Sequence, residues 1–274
     1  MKLLNSLSDI NVSRILRLIW RQKSISRIEI ASNLGLDKST VTKIVNSLDK
    51  IGIITEVSQG VSGPQGGRRP VYLEINQNFG CIGGIEINPE KFICCLINLH
   101  GFVLYRYQEM VNPELYSKLG LEGYFKRAYE IIKTEAEKQK IKMIGVGLGI
   151  PALVDSDRGI IKYSIPLLVT EPLFFAKDVS EFVDVPITIE NDARCCCFGE
   201  VMVSSNPHVN NMLFLLTEYR VLQPEAHSQK NLAIGIGLIV NGQIIKGPES
   251  VAGEFRSMLW EDGFSSQFFS GEGN

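Results

Sequence analysis

No run of about eighteen apolar residues occurs in this 274-residue chain, so nothing in it reads as a membrane-spanning helix. Nor does the opening stretch read as a secretory leader. The opening stretch MKLLNSLSDINVSRILRLIW interrupts its apolar residues with Asn, Ser, Asp and Arg, whereas a signal peptide keeps an unbroken apolar centre. The six cysteines, Cys81, Cys94, Cys95, Cys195, Cys196 and Cys197, show neither the spaced pairs of a zinc knuckle nor a secreted disulfide framework. These absences point to a cytoplasmic protein with reduced thiols. A large excess of either charge is lacking as well, the net charge being −2.

That near balance conceals an asymmetry. Residues 1–76 carry eleven Lys and Arg against six Asp and Glu, while the remainder carries seventeen against twenty-four. A basic module for a polyanion attached to an acidic body fits this split. With 45% hydrophobic residues, there is ample material for two packed domains.

The basic part has a helical start. In NVSRILRLIWRQ, Val12, Ile15, Leu16 and Ile19 recur at helical spacing, and Ser24 or Ser26 is placed to cap a second helix near Arg27. RIEIASNLGLDKSTVTKIVNSL then has the packing pattern of a helix-turn-helix. Ala31 is small where two helices cross, Gly35 permits a left-handed turn, and Val41 wedges between the helices, with Ile30, Leu34, Leu36 and Ile44 as further core. Asp37 or Ser39 caps the third helix, whose early polar residues Lys38, Ser39, Thr40, Thr42 and Lys43 are those a recognition helix presents to the major groove. Two short apolar strands follow around SQGVSGPQGGRRP, a Gly-rich hairpin in which Arg68 and Arg69 precede Pro70. This is the pattern of a winged helix, whose two guanidinium groups suit phosphates or a narrow minor groove.

From Gly80 onward the pattern becomes mixed α/β. CIGGIEINPEKFICCLINLHGFVLYRYQEM predicts a three-stranded meander, residues 115–139 a helix, and KMIGVGLGIPALVD a Gly-rich strand ending in a loop. Another helix, the strand PITIE and the helix NDARCCCFGEVMV complete the order. Asp192 falls at the carboxyl end of a strand and the start of a helix, where open α/β sheets bind ligands and a helix dipole favours an ionised carboxylate. The competing reading is that Asn191 and Asp192 merely cap the helix. Three adjacent helical cysteines diverge by about 100° per residue, so Cys195, Cys196 and Cys197 read as packing rather than as a metal or redox centre.

The blocks IGVGLGIPALVD, ITIENDARCCCFGE, IGIGLIVNGQIIKG and VAGEFRS, in this order, resemble the signatures of the ROK family of repressors, uncharacterised reading frames and kinases. With the winged helix and GGRRPVYLEIN before them, they resemble its sugar-responsive repressor branch. The resemblance implies an actin-like, ribonuclease-H-like sensor with a sugar site between two lobes. In the kinases resembled, the residue matching Asp192 is the general base and that matching Asn191 a sugar contact; Glu254 matches another sugar-binding carboxylate. Arg256 replaces a family glycine and is placed to reach the sugar, to clamp Glu254 or, equally, to form a surface salt bridge. Small residues, usually alanines, occupy the family's equivalents of Cys195, Cys196 and Cys197. Ala152 stands for a usual glycine and Pro166 for a sugar-contacting Asn, which puts the ligand's identity in question.

Two departures argue against ATP use. The phosphate-holding DxGGT is matched by Glu86-Ile87-Asn88-Pro89-Glu90, where proline lacks an amide donor and Glu90 adds negative charge. GTGIGAG is matched by NLAIGIG, residues 231–237, without its leading Gly-Thr. The family's zinc site lacks its ligands: Ser257 stands for its His and no Cys follows Cys197. The segment EYRVLQPEAHSQKN reads as a polar surface loop, with His208 and His227 solvated.

The expectation is therefore a winged helix-turn-helix domain over residues 1–76 and an α/β, actin-like ROK sensor over 77–274 that is short at its C-terminus and incomplete in its second lobe. The function expected is that of a regulator, a repressor of carbohydrate-metabolism genes, binding operator DNA and a small sugar as a homodimer without cofactor, metal or kinase activity. The alternatives are a residual sugar kinase using ATP and a truncated, constitutive DNA binder.

Overall fold

A computed structural model of the chain describes residues 10–59, 71–204, 209–221, 230–259 and 267. Two compact units emerge, residues 1–81 with 98–102 and residues 82–97 with 103–274. No helix among the described residues is long and apolar enough to cross a membrane.

The first unit runs α1 (Ile10–Gln22), β1 (Ile25–Ser26), α2 (Arg27–Leu34), α3 (Lys38–Ile51), β2 (Ile54–Gln59) and β3 (Val71–Ile75). Ser26 starts α2 with a capping box: its hydroxyl accepts from the Glu29 amide at 3.3 Å, and the Glu29 carboxylate accepts from the Ser26 amide at 2.8 Å. Gly35 ends α2 at φ 63°, a conformation that any Cβ disfavours. The chain thereby turns so that α3 crosses α2. Ala31 and Val41 are buried at the crossing, and Ile15, Ile19, Ile30, Val45, Leu48, Ile54 and Leu73 complete one apolar core. Asp37, not Ser39, takes the N-cap of α3. β3 pairs antiparallel with both β1 and β2, giving the three-stranded sheet of a winged helix. The hairpin tip carrying Arg68 and Arg69 lies outside the described residues.

The second unit begins with the expected meander, β4 (Cys81–Ile87), β5 (Lys91–Asn98) and β6 (Val103–Met110). Strict alternation of buried and less buried residues along β4 shows one face turned to a core. α4 (Pro113–Lys138) is capped by Asn112, kinks at Gly120, and buries Tyr124, Phe125, Ala128, Tyr129 and Ile132. β7 (Met143–Ile150) and β10 (Ile187–Asn191) are parallel and extend the sheet to the order β10-β7-β4-β5-β6. Between them lie a small hairpin, β8 (Leu153–Asp155) and β9 (Ile160–Tyr163), and the single-turn helix α5 (Phe175–Asp178). The loop and full helix expected there are replaced by these shorter elements.

α6 (Asp192–Val203) then leads to a second sheet, β11 (Met212–Val221), β12 (Lys230–Val240) and β13 (Gln243–Ile244). The segment expected to be a surface loop is partly strand, because residues 218–221 and 230–231 belong to the β11–β12 ladder. Residues 222–229, with His227, and residues 205–208, with His208, lie outside the described residues.

The contact of α6 with β12 depends on two glycines. A Cβ at Gly235 would stand 2.8 Å from the Ala193 Cβ; one at Gly237 would stand 2.4 Å from the Cys197 Cβ and 2.6 Å from the Ala193 carbonyl oxygen. Ala193 and Cys197, one helical turn apart, are thus the small residues that let the helix approach. Gly237→Ala should cost about 1–3 kcal/mol, measured as a lower denaturation midpoint, with the slope on denaturant concentration unchanged. An unchanged midpoint would contradict this packing.

Candidate functional site

Two sets of residues are candidates for function, one in each unit. In the first, Lys38, Ser39, Thr42 and Lys43 are exposed on α3 and Thr40 is half-buried, while Val41, Val45 and Leu48 fill the core side. The Thr42 hydroxyl donates to the Lys38 carbonyl at 2.7 Å, so it is engaged by the helix itself. The arrangement presents two ammonium groups and short hydroxyl side chains on the first turns of a helix.

In the second unit, the end of β7, the β8–β9 hairpin, the β10–α6 junction and the second sheet enclose a cavity of about 560 Å³. It brings together Asn191, Asp192, Glu254 and Arg256, the four residues expected to contact a sugar, with Ala152 and Pro166 also on its wall. Their placement follows from local structure. Asn191 is the N-cap of α6, its side-chain oxygen accepting from the Arg194 amide at 3.1 Å and its side-chain NH₂ donating to the Ala152 carbonyl at 3.3 Å. Asp192, 9% exposed, accepts from the Ala193 amide at 2.8 Å, where the helix dipole favours its charge. The capping reading and the ligand reading are therefore compatible: Asn191 caps, and Asp192 faces the cavity.

Glu254 reaches the cavity through an antiparallel bridge between its own backbone and Gly235. Desolvation raises its carboxyl above the usual range, and the positive charges of Arg194 and then Arg256 oppose the rise. Tyr163, Glu218 and Gln267 also line the cavity. Sequence reasoning missed these three, since no spacing signal ties them to Asp192. The Gln267 side chain accepts from the Ile234 amide at 2.6 Å and donates to the Ile234 carbonyl at 2.8 Å, closing the wall beside β12. Carboxylates, a guanidinium, a phenol and an amide around a partly apolar pocket are groups that bind vicinal hydroxyls by bidentate hydrogen bonds over apolar contact surface.

Residues 82–262 match the ROK family and residues 12–57 the MarR family. The chain belongs to the ROK family. Among curated ROK relatives, the xylose repressor of Staphylococcus xylosus is 27% identical over 260 residues, 93% of this chain and 62% of that protein. The xylose repressor of Bacillus subtilis (strain 168) is 28% identical, over 91% and 60% of the two chains. The DNA-binding transcriptional dual regulator NagC of Escherichia coli (strain K12) is 26% identical over 90% and 56%. The chain thus spans about three fifths of the length of these relatives. The crystal structure of a ROK family transcriptional regulator, a homologue of the E. coli MLC protein, superposes with TM-score 0.70 at 21% identity, over 94% of this chain and 61% of that one. A Streptomyces griseus ROK glucokinase, solved with glucose and AMPPNP, superposes with TM-score 0.51 at 20% identity over 69% and 54%. Both likenesses show a shared fold.

The turn where ROK kinases resembling this chain hold phosphate is closed by its own side chain. The Asn88 side-chain oxygen accepts from the Glu90 amide at 3.0 Å and the Lys91 amide at 2.9 Å, and Pro89 has no amide to offer. Donors that would cradle an anion are already satisfied within the turn. Sequence reasoning found the proline and the added charge but not this use of Asn88.

Cys197 is buried against β11 and β12, as the packing reading expects, while Cys195 and Cys196 are exposed as whole residues. The Cys195 side chain is turned toward β7, its sulfur 3.4 Å from where a Cβ at Gly149 would stand, although the residue as a whole keeps some exposure. The Cys195 sulfur is nonetheless desolvated, and burial, then Glu190 and Asp192, push its thiol up to about 12. Burial pushes Cys94 to about 12 as well. No cluster of three or more His, Cys, Asp and Glu suited to a metal occurs among the described residues. Because the thiolate is the nucleophile, iodoacetamide at pH 7.5 should label Cys195 more slowly than free cysteine does. Mass spectrometry of tryptic peptides reads the rate, and labelling faster than free cysteine would contradict the assigned environment.

Proposed function

We propose that this protein is a sugar-responsive transcriptional regulator of the cytoplasm, a repressor of carbohydrate-metabolism genes that binds operator DNA as a dimer and does not phosphorylate its ligand. The observation that carries the reading is the coexistence, in one chain, of the exposed Lys38–Lys43 helix face with a cavity that gathers Asn191, Asp192, Glu254 and Arg256. The basic helix start supplies phosphate attraction and groups able to read base edges. The cavity supplies carboxylates for sugar hydroxyls. The names of the xylose repressors support D-xylose as the first effector to test.

One observation favours a second reading. Asn191 and Asp192 are retained at the strand–helix junction, where a sugar kinase of this family would use the carboxylate as general base. The turn at Asn88 to Lys91 weighs more heavily, because phosphoryl transfer depends on holding and neutralising phosphates, and this turn has spent its amides and added Glu90.

DNA sites selected by the chain from a random library should bind with an affinity that falls steeply as salt rises. Lys43→Ala should weaken that binding, by about 1–3 kcal/mol where a base contact is lost. Fluorescence anisotropy at several salt concentrations measures both, and affinity indifferent to salt and to Lys43 would contradict the DNA reading. With ATP and a panel of hexoses and pentoses, no ADP formation above the uncatalysed background is expected. Turnover that disappears in Asp192→Asn would establish the kinase reading instead.

A further inference from the structure

Arg194 is a charged residue in an unexpected place: it is 1% exposed, inside α6, two residues from Asp192. Its Nε lies 2.9 Å from Glu190 Oε1, without the alignment of a hydrogen bond, and Nη1 donates to the Ser250 carbonyl at 3.3 Å. Nη2 is buried with no hydrogen-bond partner among the described residues. Glu190 is fixed in turn, accepting from the Ser156 hydroxyl at 2.7 Å and from the Asn191 amide at 2.9 Å.

The segment that Arg194 holds is strained. Glu249 and Ser250, neither of them glycine, have φ of 53° and 64° in succession, in a loop bounded by Gly247 and Gly253. Such conformations persist only where surrounding contacts impose them. Two cations, Arg194 and Lys162, reach this loop, and a third, Lys246, stands just before it. Lys162 donates to the Glu249 carbonyl at 3.1 Å and to its carboxylate at 2.6 Å, and Lys246 pairs with Asp157 at 2.8 Å. The carboxylates of these two pairs are 83% and 85% exposed, so solvent screens both ion pairs, and the backbone contact that Lys162 adds is the one at the Glu249 carbonyl. Arg194 is the buried one. The same loop delivers Val251, Gly253 and Glu254 to the cavity wall.

We infer that Arg194 is a positioning residue: buried against Glu190, it holds the Gly247–Gly253 loop and with it the placement of Glu254 on the cavity wall, thereby setting the affinity of the cavity for a monosaccharide. The part concerning the ligand rests on the sugar reading above; the part concerning the loop does not. Arg194 from α6 and Arg256 from its own segment act on the charge of Glu254, while Asp192 from α6, Glu218 from β11 and Tyr163 from β9 line the same cavity. Removing Arg194 takes away the larger of the two positive charges that oppose the raised Glu254 carboxyl, so protonation sets in at higher pH.

Two measurements on the full chain test this. In the first, amide hydrogen exchange of the ligand-free protein, Arg194→Met should speed exchange at Ser250, Val251, Ala252 and Glu254 by on the order of tenfold while leaving β7 and β10 unchanged. Arg194→Lys should stay near the parent. Should Arg194→Met fail to fold, Glu190→Gln frees the guanidinium from the other side and should loosen the same four amides. Unchanged exchange there in every variant that folds overturns the inference. In the second, calorimetric titration with D-xylose and D-glucose from pH 5 to pH 8, the acid limb of affinity should move to higher pH in Arg194→Met and stay in place in Arg194→Lys. An acid limb that does not move in Arg194→Met overturns the role at Glu254. A loop that loosens as expected in a protein that binds neither sugar at any pH supports the loop assignment and counts against the sugar reading.

Discussion

The close approach of α6 to β12 is the contact on which the rest of the second unit depends. Gly235 and Gly237 remove the side chains that would hold the helix away, and Ala193 and Cys197 keep the facing helix surface small. The consequence reaches the cavity directly, because Gly235 also forms the bridge to Glu254 and a Cβ there would lie 4.0 Å from Asp192 Oδ1. One tight helix–strand contact thus brings a carboxylate from the first sheet's edge and a carboxylate from the second sheet's loop to the same cavity. Ligand chemistry here follows from packing.

Bringing two carboxylates together has an electrostatic cost, and the structure offsets it in different ways on the two sides. Asp192 sits at a helix N-terminus with a backbone amide at 2.8 Å. Glu254 has no helix behind it and relies on nearby guanidinium groups. Burying Arg194 for this purpose is expensive, since desolvation of an ion pair often exceeds the attraction gained. The Glu190–Arg194 pair is therefore better understood as serving geometry at the cavity than as a source of stability.

Much of this was legible in the sequence, and the reasons are physical. The helix-turn-helix was readable because Ala31, Gly35 and Val41 each answer a local demand, for small size, for positive φ, and for a wedge, at fixed spacing. Asn191, Asp192, Glu254 and Arg256 were readable through the resemblance of their blocks to the ROK family, and they do line one cavity. The β8–β9 hairpin was not readable, because strands of three and four residues carry too little alternation to register. Arg194 was missed because a charged residue is read as exposed by default, and only tertiary packing places it at 1%. The Asx turn at Asn88 was missed because a short polar side chain that bonds its own backbone looks, in sequence, like any turn residue.

An effector changes DNA affinity only through a difference in its own affinity for two arrangements of the protein. The most direct measurement is therefore DNA affinity with and without a sugar already shown to bind, at one salt concentration, for the parent chain and for Asp192→Ala. Sugar should change the parent's DNA affinity, with a coupling of about 1–3 kcal/mol, and should leave Asp192→Ala unaffected, while the two proteins bind DNA equally without sugar. A parent chain that binds both DNA and sugar, yet holds its DNA with the same affinity throughout, would contradict the sugar-responsive function and leave a constitutive DNA binder.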